Sequence, residues 1–174
     1  MLILAALTAG SALFCAQTEP PVALAWPIPT SAAPTPAPAE EPGTWRLRVD
    51  GLVEKPLVLS YDEVLAFPGF RETAVLFCAG VYENQPVREW YGVPITSLLA
   101  EAGLRPVASR LIFYATDGYK TILSIERITA TGAILAWEVD GAPLSMADGY
   151  PFRLVSAKMD GDMWIGWVYR IEVS

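Results

Sequence analysis

The sequence predicts an α+β fold, mostly β, with two or three short helices set between short strands. Three observations carry that prediction. From Thr44 onward, apolar and polar residues alternate in short runs separated by Gly, Pro and Asp, the pattern of half-buried strands and tight turns. Only two stretches combine helical spacing with helix start and stop signals. No segment repeats, so residues 44–174 read as one domain.

The first 17 residues, MLILAALTAGSALFCAQ, carry no charge. This apolar run suits the core of a signal peptide and is short for a spanning helix. It is expected to be a signal peptide or a membrane anchor. The sequence ALFC, ending at Cys15, loosely resembles a bacterial lipidation site. The expected location is extracytoplasmic, periplasmic or at the cell surface, with the protein tethered or secreted. Residues 18–43 follow, with eight of the chain's 15 prolines. Alternating Pro and Ala favour extended polyproline II and pack no core, so this stretch reads as a linker.

The domain opens with TWRLRVDGLVEKPLVLS, read as strand, turn at Gly51 and Pro56, and strand. In SYDEVLAFP, Ser60 and Glu63 have capping-box spacing, and Pro68 stops the helix. RETAVLFC is a predicted strand leading to Cys78. A second helix is predicted from about Pro94, with Ile95, Leu98 and Leu99 on one face and Gly103 at its C-terminal end. SRLIFYATDGYKTILSIERI reads as a hairpin turning at Thr116–Asp117–Gly118, and GAILAWEVDGAPL as one turning at Asp140–Gly141. The last stretch reads as two strands around Met159–Asp162.

Charge and composition exclude several functions. The chain carries a formal charge of −7 with a pI near 4.6, so it lacks the basic footprint of a nucleic-acid binder. Membrane contact is expected only through the N-terminal segment. There is no histidine, which removes histidine triads, histidine-bound zinc or haem, and imidazole acid–base chemistry. No haem- or flavin-binding signature is visible. Chemistry falls to Cys, Asp, Glu, Lys, Arg and Tyr, or to a bound cofactor.

Of the two cysteines, only Cys78 lies in the domain. An unpaired thiol in an oxidising compartment is a liability unless it is buried or coordinated. Two readings of Cys78 stand: a small buried hydrophobe, or a metal ligand.

The series DGLVEKPLVLSYDEVLAFP, LFCAG, WYGVPITSLLAEAG, ATDGYKTILSIE and ILAWEVDGAPLSMADGYPFRLV, in that order, resembles the sulfite oxidase-like molybdopterin-binding domain across 44–174. The resemblance implies the molybdenum cofactor, with Cys78 as thiolate ligand to the metal. A soft sulfur donor suits a metal already bound by dithiolene sulfurs. It further implies cofactor contacts at Thr116, Asp148 and Arg153. Arg153 and Cys78 are the expected catalytic residues, since a guanidinium presents a planar fork to oxyanions. Plainer roles compete: Thr116 and Asp148 as turn formers, and Arg153 paired to a carboxylate such as Glu138. Relatives place an asparagine at Val81 and a lysine at Gly166. The activity implied is two-electron oxygen-atom transfer on a small oxyanion or sulfoxide, with an electron-transfer protein as partner. The alternative is a cofactor-free binding module of the same fold, with Trp90, Tyr91, Tyr119, Tyr150, Trp164 and Trp167 lining a groove.

Overall fold

The computed structural model describes residues 45–76 and 85–174. All of them fall within the unit Ala33–Ser174. The expected leader, Cys15, the 18–43 linker and Cys78 lie outside the described residues.

Strand β1 (Arg46–Gly51) turns Leu47 and Val49 inward and its charged residues outward, the period of two expected of a sheet with one wet face. It pairs antiparallel with β2 (Leu57–Ser60). Helix α1 (Tyr61–Leu65) starts where the sequence signalled. The Ser60 hydroxyl accepts the Glu63 N–H and the Glu63 carboxylate accepts the Ser60 N–H, a complete capping box. Strand β3 (Phe70–Ala74) follows and ends before the Cys78 segment.

After that segment, β4 (Arg88–Pro94) runs antiparallel to β3. Helix α2 (Ile95–Ala102) buries Ile95, Leu98, Leu99 and Ala102 and ends at Gly103, as expected. Strands β5 (Arg110–Ala115) and β6 (Lys120–Ser124) form the predicted hairpin. Its turn is tied by the Asp117 carboxylate, which accepts the Tyr119 N–H at 2.8 Å.

Here the sequence reading needs correction, because the second hairpin strand does not continue through Ile128. It stops at Ser124, and helix α3 (Ile125–Thr131) begins. The Ser124 hydroxyl caps the Arg127 N–H at 3.1 Å, and Gly132 closes the helix in the left-handed conformation.

Strand β7 (Ile134–Val139) turns at Asp140–Gly141 into the short β8 (Ala142–Pro143). Both turn residues have positive φ, 51° and 79°, the geometry of a two-residue hairpin turn. The two closing strands, β9 (Arg153–Val155) and β10 (Val168–Val173), are separated by a 3-10 turn at Gly161–Met163. They join different sheets.

Two sheets result. One has the order β2-β1-β10-β5-β6, with β1 and β10 parallel and the other pairs antiparallel. The other has the order β3-β4-β7-β8, with β9 also pairing to β7. Helices α1 and α2 touch strands of both sheets. Trp90, Phe113, Phe152, Leu135, Leu154 and Ile171 are among the largest fully buried side chains, and the buried residues of both sheets form one continuous core. The architecture is the mostly-β α+β class that the sequence predicts.

Candidate active site

Three chain segments converge on one pocket. The first is the start of β4. Arg88 and Trp90 stand two residues apart on one strand, so they share a face, and the Arg88 guanidinium lies 5.5 Å above the Trp90 ring centroid. The β4–β7 pairing brings in the Asp140 turn. Asp140 donates its N–H to the Glu89 carbonyl at 2.7 Å, and its carboxylate accepts from Arg88 Nε at 2.7 Å.

The second segment is the turn at 145–149. The Ser145 hydroxyl donates to the Asp148 carboxylate at 2.6 Å and accepts the Asp148 N–H at 3.1 Å. The same carboxylate accepts from Arg88 Nη1 at 2.6 Å. The Ser145 hydroxyl, then the Arg88 guanidinium, hold the Asp148 carboxyl below the usual carboxylate range against the opposing effect of burial. Asp140 is likewise held low, first by Arg88 and then by the Glu89 N–H.

The third segment is β9, whose first residue is Arg153. Its side chain is buried, with Nε donating to the Asp148 carbonyl at 2.5 Å and Nη1 to the Trp164 carbonyl at 2.9 Å. Its guanidinium lies against Gly149 and Gly166, where a Cβ on either residue would stand 3.2 Å from a guanidinium nitrogen. Both positions therefore favour glycine for a steric reason.

The pocket has a volume of about 130 Å³ and is lined by Arg88, Trp90, Asp148 and Arg153 together with Leu76, Gln85, Pro86 and Ala147. Leu76 and Gln85 are the last and first described residues on either side of 77–84.

Of the residues that the sequence singled out, Asp148 and Arg153 are brought together here. Thr116 is not among the lining residues. It sits in the β5–β6 turn and donates its N–H to the Trp167 carbonyl at 3.1 Å. Cys78 is outside the described residues. Glu138, offered as a partner for Arg153, lies instead 3.9 Å from Arg71 Nη1. Among the expected groove aromatics, Trp90 lines the pocket, while Trp164 is buried edge-on against it at 5.7 Å. Arg88 was missed. Its place two residues before Trp90 was the available signal, but its partners are far off in sequence.

The donor set suits a polyanionic cofactor. Two guanidiniums and an amide offer N–H groups to phosphate or oxo oxygens. The buried indole N–H of Trp90 has no hydrogen-bond acceptor among the described residues, which costs stability unless something supplies one. The cavity is smaller than the roughly 300–1,000 Å³ of ordinary small-molecule sites. Among the described residues, no three Asp, Glu, His or Cys side chains gather as a metal cluster.

The two-sheet, mostly-β frame is that of the sulfite oxidase-like fold class. The chain belongs to the oxidoreductase molybdopterin-binding domain family, whose model matches residues 33–174. It is 31% identical over 114 residues to the uncharacterized oxidoreductase YuiH of Bacillus subtilis, covering 66% of this chain and 57% of that one. It is 29% identical over 166 residues to rat mitochondrial sulfite oxidase, covering 79% of this chain and 30% of the enzyme. The crystal structure of the sulfane dehydrogenase SoxCD from Paracoccus pantotrophus matches with a TM-score of 0.71 and 32% identity, over 79% of this chain and 40% of that one. The chain thus spans 57% or less of each of these relatives. The family and its sulfite oxidase members imply the molybdenum cofactor.

Proposed function

We propose that the protein is an exported molybdenum-cofactor oxidoreductase. It moves one oxygen atom and two electrons on or off a small oxyanion or sulfoxide, and its N-terminal segment secures it to a membrane or directs its secretion. The observation that carries this reading is the meeting of Arg88 and Arg153 with Leu76 and Gln85 at one pocket.

Cys78 would hold the metal, and Arg153 with Arg88 the anionic groups of the cofactor or substrate. When bound, the cofactor supplies the two-electron redox change. The protein's own residues position and exclude. Two backbone carbonyls fix the Arg153 guanidinium, so its orientation costs no reorganisation. Leu76, Pro86, Ala147 and Trp90 give the pocket apolar wall that displaces water. A separate electron-transfer protein supplies or accepts the electrons.

Expression in a molybdenum-replete host tests this. The full chain should carry close to one molybdenum per chain, and Cys78→Ser should abolish it. Fractionation should find the protein outside the cytoplasm. Folded, metal-free wild-type protein from such a host overturns the proposal. That result would favour a cofactor-free binding module of the same fold, a reading supported by the small cavity of about 130 Å³.

A further inference from the structure

Arg88 is held from two sides, and only one of its holders belongs to the pocket wall. Asp148 lines the pocket and takes Arg88 Nη1 at 2.6 Å. Asp140 is not among the lining residues, and it takes Nε at 2.7 Å from the turn between β7 and β8. The other Asp140 carboxylate oxygen accepts the Glu89 N–H at 2.9 Å. The Asp140 N–H in turn donates to the Glu89 carbonyl at 2.7 Å. The carboxylate is therefore fixed to the strand that carries Arg88.

We propose that Asp140 is a positioning residue for anion binding. From outside the pocket it sets the Arg88 guanidinium so that Nη2 offers its N–H groups to an anionic oxygen of the cofactor or substrate. The inference rests on the function proposed above, in which Arg88 and Arg153 hold such groups.

The turn itself does not call for a carboxylate. Asp140 has a φ of 51°, a conformation that Asn or Gly would satisfy equally well in a two-residue hairpin turn. Its carboxylate has other work, at Arg88 and at the Glu89 N–H. A guanidinium held only at Nη1 could pivot about that contact. A second bond at Nε fixes its plane, with the Trp90 ring centroid 5.5 Å beneath it. Nε and Nη1 are then both occupied, and Nη2 has no hydrogen-bond partner among the described residues.

Asp140 acts on an anion in two opposed ways. As a negative charge it disfavours one near Arg88, but its side chain is 49% exposed, and water screens that effect. As an anchor it favours one, because binding need not order a long, mobile side chain. Ordering such a side chain costs about threefold to tenfold in affinity. The anchoring effect is the larger.

The test uses the full chain from a molybdenum-replete host, with sulfate affinity measured by calorimetry and molybdenum measured after dialysis. Asp140→Gly keeps the turn conformation and removes the anchor. It should weaken sulfate binding by about threefold to tenfold or lower the molybdenum retained. The first result assigns the anionic group to the substrate and the second to the cofactor. Asp140→Asn loses the same charge but keeps one acceptor, so it should recover part of the loss. In an Arg88→Gln background, Asp140→Gly should change nothing further. If Asp140→Gly does not fold, Asp140→Glu keeps the charge, misplaces it by one methylene, and should also weaken binding. Sulfate affinity unmoved or tightened with retention unchanged overturns the proposal. An equal loss in the Arg88→Gln background also overturns it, by assigning the effect to the turn. Molybdenum in place with Asp140 variants indistinguishable from wild type sinks this inference alone. Wild-type protein that takes up no molybdenum sinks the redox reading, and sulfate binding to that same chain still decides this one.

Discussion

Gly149 and Gly166 meet backbone to backbone. A Cβ on Gly149 would lie 2.8 Å from the Gly166 Cα, and one on Gly166 would lie 2.9 Å from the Gly149 Cα. Neither neighbour is a flexible side chain that could give way, and Arg153 fills the remaining space beside them.

Gly166→Ala should therefore destabilise the fold by about 1–3 kcal/mol through overpacking and displace the Arg153 guanidinium. Urea unfolding measures the first effect, and loss of bound cofactor the second. An unchanged midpoint would show that the two loops can separate without cost.

Arg88→Gln should reveal a charge contribution with a defined pH window. Asp140 and Asp148 both have folded-state carboxyls held below the ordinary 3.8. Their contribution is fully present above the unfolded value and is lost as pH falls through the lower folded values. Wild-type protein should be the more stable near neutrality, and the two proteins should converge in acid. Denaturation midpoints measured from pH 7 downward check this, and a constant difference across that range contradicts it.

Ser60→Ala removes the hydroxyl that caps α1 and should cost about 1 kcal/mol. Helix α1 touches β1, β2 and β4, so the loss should appear in global unfolding. A loss seen only as local fraying would mean that α1 is not coupled to the two sheets.

Phe152→Ala should cost about 3–5 kcal/mol. Phe152 is fully buried, 4.6 Å from the Trp45 ring centroid and 5.3 Å from that of Tyr61. It also precedes Arg153, so the variant should hold cofactor more weakly than its stability loss alone explains. Equal losses of stability and retention would restrict its role to packing.

Local chemistry was legible in the sequence, and remote geometry was not. The Ser60–Glu63 box, the Gly103 helix end and the Asp140–Gly141 turn are each written within a few residues, and each formed as read. Helix α3 was hidden because its β-branched residues, Ile125, Ile128, Thr129 and Thr131, suit a strand as well as a short helix. The cap at Ser124 decided the matter. Arg88 was silent because Asp140 and Asp148 lie 52 and 60 residues away along the chain. Only the β4–β7 register and the 145–149 turn bring them together. Gly166 stood out in the sequence only as a missing lysine, and its contact with Gly149 supplies the physical reason for a glycine there. Asp148, expected as a cofactor contact, lines the pocket with its carboxylate engaged by Ser145 and Arg88.

Strand β10 lies between β1 and β5 at the centre of its sheet. β1 therefore has no inner neighbour until residues 168–173 have been synthesised and have left the ribosome. The five-stranded sheet cannot assemble piecemeal during translation. Truncation just before β10 would divide the sheet into two hairpins, β2-β1 and β5-β6.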